Sequence, residues 1–204
     1  MVGSIDKLKI LITQKVNNGF ALHGSSFDFI TNILNNGFIG EGGNYNNYMY
    51  LLIEPKQKGV DIYESAIYYA YANAIKSLLF SKYPEIRNTI ISKDFDQYLF
   101  MVGLVQYTGD LESIPQGFDI FNADDLEHIR LVIRQCKDED RKGIIVHFSK
   151  ELFEKFDIDP PNETGQTRIL LSQHIVLEDI SSIELLGKYE LQAFKDIQTK
   201  YIPT

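Results

Sequence analysis

The chain has 204 residues, 44% hydrophobic and 24% charged, the proportions of one folded domain and not of a disordered segment. Its single cysteine, Cys136, excludes an intrachain disulfide and a cysteine-rich zinc site. Twenty-eight acidic against twenty basic residues give a formal net charge of −8, which repels phosphate backbones and argues against nucleic acid as a partner.

Residues 4–16 place Ile5, Leu8, Leu11, Ile12 and Val16 at helical spacing, and Asn17-Asn18-Gly19 supplies a stop. Asp6, Lys7, Lys9 and Lys15 interrupt this stretch, so it lacks the unbroken apolar run of a signal peptide. Phe20-Ala21-Leu22 predicts a short strand turning at His23-Gly24, and Ser25 or Ser26 can cap a helix carrying Phe27, Ile30, Ile33 and Leu34. Residues 40–47 form a glycine- and asparagine-rich loop by composition. Residues 48–53 predict a second strand, bounded by Pro55.

Asp61 can cap a long helix running to about residue 80, in a segment free of glycine and proline. Its apolar part, residues 66–80, is broken by Asn73 and Lys76 and is too short to span a bilayer. Pro84 starts a further helical region to about residue 105, and residues 109–117 are a loop. Asn122 caps an amphipathic helix with Leu126, Ile129, Val132 and Ile133 on one face. A strand follows at 143–148, then a short helix capped by Ser149 and a polar loop at 159–165. Residues 169–171, 175–177 and 182–186 read as strand pieces, and the tail from Tyr189 as helix. Helices dominate the first two thirds and strands cluster at both ends, so the expected class is α+β in one domain, 1–204.

Most familiar chemical motifs are missing: there is no Walker loop, GxGxxG, HExxH or GxSxG. His23, His128, His147 and His174 lie too far apart for a ligand pattern, so no metal is expected. His128 falls on the charged side of its helix, which predicts a solvated ring. His147 alternates with apolar neighbours, which suits a sheet face or a satisfied core position.

One ordered constellation remains. Leu22-His23-Gly24-Ser25 leads into an amphipathic helix, a loop, the strand containing Tyr50, and a helix containing Tyr69; much later come a strand, a short helix, a polar loop and a final strand region. This order, over about residues 21–186, resembles the ADP-ribosyltransferase superfamily of the His–Tyr–Glu type. The resemblance implies a split, mainly antiparallel sheet with flanking helices, with 81–141 as a helical insertion or lid. It implies NAD as substrate and mono-ADP-ribosyl transfer to a protein or small-molecule acceptor, in the cytoplasm of its own or a host cell. His23 would bond the adenine-side ribose, and the Gly24 backbone would grip the nicotinamide carboxamide with Ser25 in support. Tyr50 and Tyr69 would sandwich the nicotinamide ring. The family's carboxylate belongs just before Ile169, where this chain has Gln166-Thr167-Arg168, with Glu163 the nearest acid. Gln166 keeps a glutamate's shape without its charge. Either it replaces a native glutamate, or Glu163 reaches the site, or catalysis has been lost. The last case gives an NAD or ADP-ribose binding module. An RNA 2′-phosphotransferase is a further NAD user in this class, disfavoured because it needs a basic and histidine cluster, and a purely structural helical domain is the remaining alternative.

Overall fold

The computed structural model describes residues 2–13, 20–36, 48–55, 57–86, 123–170 and 175–187. Predicted features at 14–19, 40–47, 87–122, 171–174 and 188–204 lie outside them. In chain order the elements are α1 (Val2–Thr13), β1 (Ala21–Ser25), α2 (Asp28–Asn36), β2 (Tyr48–Leu52), α3 (Ile62–Lys82), α4 (Ala123–Asp138), β3 (Gly143–Phe148), α5 (Leu152–Lys155), β4 (Gln166–Leu170) and β5 (Ile180–Leu186). The strands form one antiparallel sheet in the order β4-β2-β1-β3-β5, with helices packed on both faces. The expected α+β class with a mainly antiparallel sheet is therefore present.

Period-two alternation sorts the side chains between two cores. Ala21, Met49, Leu51, Ile144, Val146, Phe148, Ile169 and Ile183 enter a large core with α1, α2 and α5. Leu22, Leu52 and Ile145 face the other way and meet Ala66, Ile62, Ile67 and Tyr69 of α3. α3 is thus buried on two sides: its opposite face joins Ile129, Val132, Ile133 and Cys136 of α4 in a third cluster. Asp61 caps α3 as expected, accepting hydrogen bonds from the backbone N–H of Tyr63 at 2.8 Å and Glu64 at 3.3 Å.

Several local expectations need correction. His23-Gly24 is not a turn but part of β1, because the strand stays paired to β3 through Ser25↔Ile144. Residues 175–177 are not a strand: Ile175 makes an isolated bridge, and Leu177–Asp179 is a single 3-10 turn closed by the Asp179 carboxylate on the Val176 N–H. Ser149 is not the cap of α5, which starts from Glu151 without a side-chain cap. His128 is not simply solvated, since its ring stacks on Tyr83 at 4.1 Å between centroids and 19° between planes.

Candidate functional site

β1 and β2 share one recorded pair, Leu22↔Leu52, whereas β1 pairs with β3 over five positions. Continuing that register would set Gly24 opposite Tyr50. Instead, the Tyr50 carbonyl accepts a hydrogen bond from His23 Nδ1 at 2.8 Å. The Gly24 carbonyl accepts from the Asn73 amide at 3.0 Å. Side chains have replaced ladder bonds on both strands, so the sheet parts just beyond Leu22.

His23 leaves β1 on the side of α2, its ring 5.6 Å from that of Phe29. Burial of the ring lowers its pKa, partly offset by the bond to the Tyr50 carbonyl. The neutral imidazole is therefore favoured. Because a carbonyl can only accept, the proton sits on Nδ1 and Nε2 presents a lone pair.

Tyr50 alternates with Met49 and Leu51, so its ring leaves β2 on the α3 face, where it is 52% exposed. His23 and Tyr50 therefore leave the sheet on opposite faces, against the expectation that their side chains share one cleft, and they meet only through the tyrosine's carbonyl. The α3 face also carries Gln166, the first residue of β4, which pairs with Leu52. Gln166 Nε2 donates to the Tyr69 hydroxyl at 3.1 Å, so β4 and α3 are joined at this edge. Two residues on, Arg168 lies opposite Tyr50 and holds the Asp159 carboxylate at 2.6 Å.

The turn before β4 fixes Gln166 closely. Asn162 Oδ1 accepts from the Thr164 N–H at 3.0 Å, the Thr164 hydroxyl at 2.9 Å and the Gln166 N–H at 2.9 Å. The Gly165 carbonyl accepts from the Ile53 N–H at 2.8 Å, tying the turn to the exit of β2. Glu163 is exposed in this turn, and its carbonyl accepts from the Gln57 N–H.

Gly24 is required by packing. A Cβ there would stand 2.1 Å from the Ala66 carbonyl oxygen and 2.7 Å from the Ala70 nitrogen. The absent side chain lets α3 lie directly on β1. Ser25 ends β1 and is partly exposed.

Of the residues expected at a site, Gln166 and Tyr69 are bonded on the α3 face, where Tyr50 also projects, while His23 lies on the α2 face and reaches the Tyr50 backbone alone. Asn73 and Asn162 complete the arrangement but were not expected there. Asn73 had a visible signal as the polar interruption of an apolar helix. Asn162 is an ordinary turn residue in sequence, and its effect on Gln166 depends on where the turn docks. No group of histidine, cysteine, aspartate and glutamate residues suited to a metal occurs among the described residues. No described helix is long and apolar enough to cross a membrane. No protein-family model, curated protein or solved structure matches the chain.

Proposed function

We propose that the parting between β1 and β2 is a dinucleotide cleft of the ADP-ribosyltransferase kind, serving mono-ADP-ribosyl transfer from NAD to a protein or small-molecule acceptor. The observation that carries this reading is the Gln166–Tyr69 bond beside a strand gap held by His23. A neutral imidazole with its proton on Nδ1 leaves Nε2 to accept a ribose hydroxyl from the α2 side of the gap, so a bound dinucleotide would have to pass through the gap to reach the tyrosines on the α3 face. Tyr50 and Tyr69, both on the α3 face, supply aromatic surface for a nicotinamide ring, and such surface favours a cationic ring.

Gln166 can orient a ribose hydroxyl through its amide, but it adds no negative charge as nicotinamide departs and the sugar becomes cationic. Preorganised charge of that kind is commonly worth about a hundred- to thousandfold in rate. The neutral Gln166 therefore favours a second reading, a cleft that binds NAD or ADP-ribose without efficient chemistry. A thermal-shift titration with NAD, ADP-ribose and nicotinamide tests the shared part of both readings, since ligands of the folded state raise the midpoint by mass action. No shift with any of the three removes both. Nicotinamide release by wild type and Gln166→Glu then separates them. The transferase reading expects release from wild type and a further increase in the variant. The binding reading expects wild type to be silent while NAD still shifts the midpoint.

A further inference from the structure

α3 carries a polar row at i, i+4 and i+8 along the edge of the strand gap. Tyr69 takes the Gln166 amide, Asn73 donates to the Gly24 carbonyl, and Ser77 donates to Asp28 at the start of α2. One helix thus laces β4, β1 and α2 together across the gap. Asn73 is the middle member and is partly exposed.

The orientation of its amide follows from its partner. A carbonyl oxygen only accepts, so the NH2 of Asn73 must face Gly24. Oδ1 and the second N–H then form the outer edge of the group. That edge carries one acceptor beside one donor, the pattern complementary to a primary carboxamide. The carbonyl of Gly24 accepts from Asn73 and keeps one further lone pair, so Asn73 would read a carboxamide beside it.

We propose that Asn73 is the specificity residue of this cleft, selecting dinucleotides that carry a primary carboxamide over those that carry the corresponding carboxylate. The inference rests on the dinucleotide reading above and changes which group reads the ligand. A carboxamide offers an NH2 to Oδ1 and an oxygen to the N–H of Asn73. A carboxylate has no donor and would place its charge against Oδ1. Sites built to hydrogen-bond a ligand group reject analogues lacking it far more strongly than apolar pockets do.

The test is calorimetric titration of the full chain with NAD, nicotinic acid adenine dinucleotide and ADP-ribose. Wild type is expected to bind NAD at least about tenfold more tightly than its acid counterpart. Two variants separate ligand reading from support of Gly24, because both lose the bond to its carbonyl. Asn73→Ala also loses the acceptor, and the NAD preference should fall to within about threefold while ADP-ribose affinity holds. Asn73→Asp keeps an acceptor and adds charge, so the acid ligand stays excluded by about tenfold or more. Equal loss of preference in both variants overturns the proposal, as does an Asn73→Ala protein that discriminates like wild type. If Asn73→Ala fails to fold, Asn73→Asp decides alone: retained exclusion supports the proposal and lost exclusion overturns it. Failure of all three ligands to bind wild type refutes the underlying dinucleotide reading instead, and ADP-ribose binding separates these cases.

Discussion

A single missing methyl group decides how closely β1 and α3 approach. Around Gly24, the atoms a Cβ would strike belong to the backbone of Ala66 and Ala70 and to the Tyr69 Cβ, none of which can rotate away. Relief requires the helix itself to move. Gly24→Ala is therefore expected to destabilise the protein by about 2–3 kcal/mol, in the upper range for overpacking. Chemical denaturation checks this. A change under about 0.5 kcal/mol, the usual range for exposed surface substitutions, would mean that α3 is free to shift. Displacement of α3 would also separate Asn73 from the Gly24 carbonyl and Tyr69 from Gln166, so under the proposed function NAD affinity should fall along with stability. His23 illustrates the opposite case. The His23-Gly24 pair predicted a turn, and only pairing with β3 shows that the imidazole leaves a strand.

Among the elements, α3 joins the candidate site to the rest of the molecule. Its N-terminus is fixed twice, by the Asp61 cap and by the Tyr63 hydroxyl, which donates to Glu184 of β5. Asp61→Ala should cost about 1 kcal/mol, the usual value of such a cap, measured by denaturation. If the cap also aligns Tyr63, then Asp61→Ala and Tyr63→Phe will be non-additive by about 0.5 kcal/mol or more, the sign of groups sharing one network. Strict additivity would mean that the cap and the tyrosine act independently. The cap, the long helix and the β3 strand were legible in sequence, because each depends on local spacing and local chemistry. The parting of β1 from β2 was not, since it depends on which ladder positions are replaced by His23 and Asn73. The face occupied by Tyr50 was not legible in the sequence, since its position opposite His23's face depends on how β1 and β2 are registered. The bond between Gln166 and Tyr69 was not, because 97 residues separate them and only the register of β4 on β2 brings them together.

For the molecule as a whole, acid should act in two steps from two regions. Glu184 sits on β5 with His147 Nε2 at 3.5 Å, and bonding from His147 and then Tyr63 outweighs burial, so its carboxyl titrates below the usual range. A depressed carboxylate contributes stability above its unfolded pKa, near 4.5, and loses it as pH falls through the folded value. His23 is likewise depressed, by burial, but for a cation the consequence begins earlier. Below its ordinary value of 6.5 the unfolded chain binds the proton more readily than the folded one, so stability declines from there downward. Against both runs a background: the chain carries −8 at neutral pH with a pI near 5.0, and titration toward that point relieves self-repulsion. The raw profile mixes these trends, so differences between proteins isolate them. His23→Gln should flatten the decline that begins near pH 6.5. Glu184→Gln should flatten the limb below about pH 4.5 and leave the upper one unchanged. Melting midpoints across pH 3–8 for the three proteins provide the measurement. Parallel profiles would mean that neither group's proton affinity differs between the folded and unfolded states. A His23→Gln protein altered only below pH 4.5 would place its effect outside the imidazole, removing the physical basis for a neutral His23 at the strand gap.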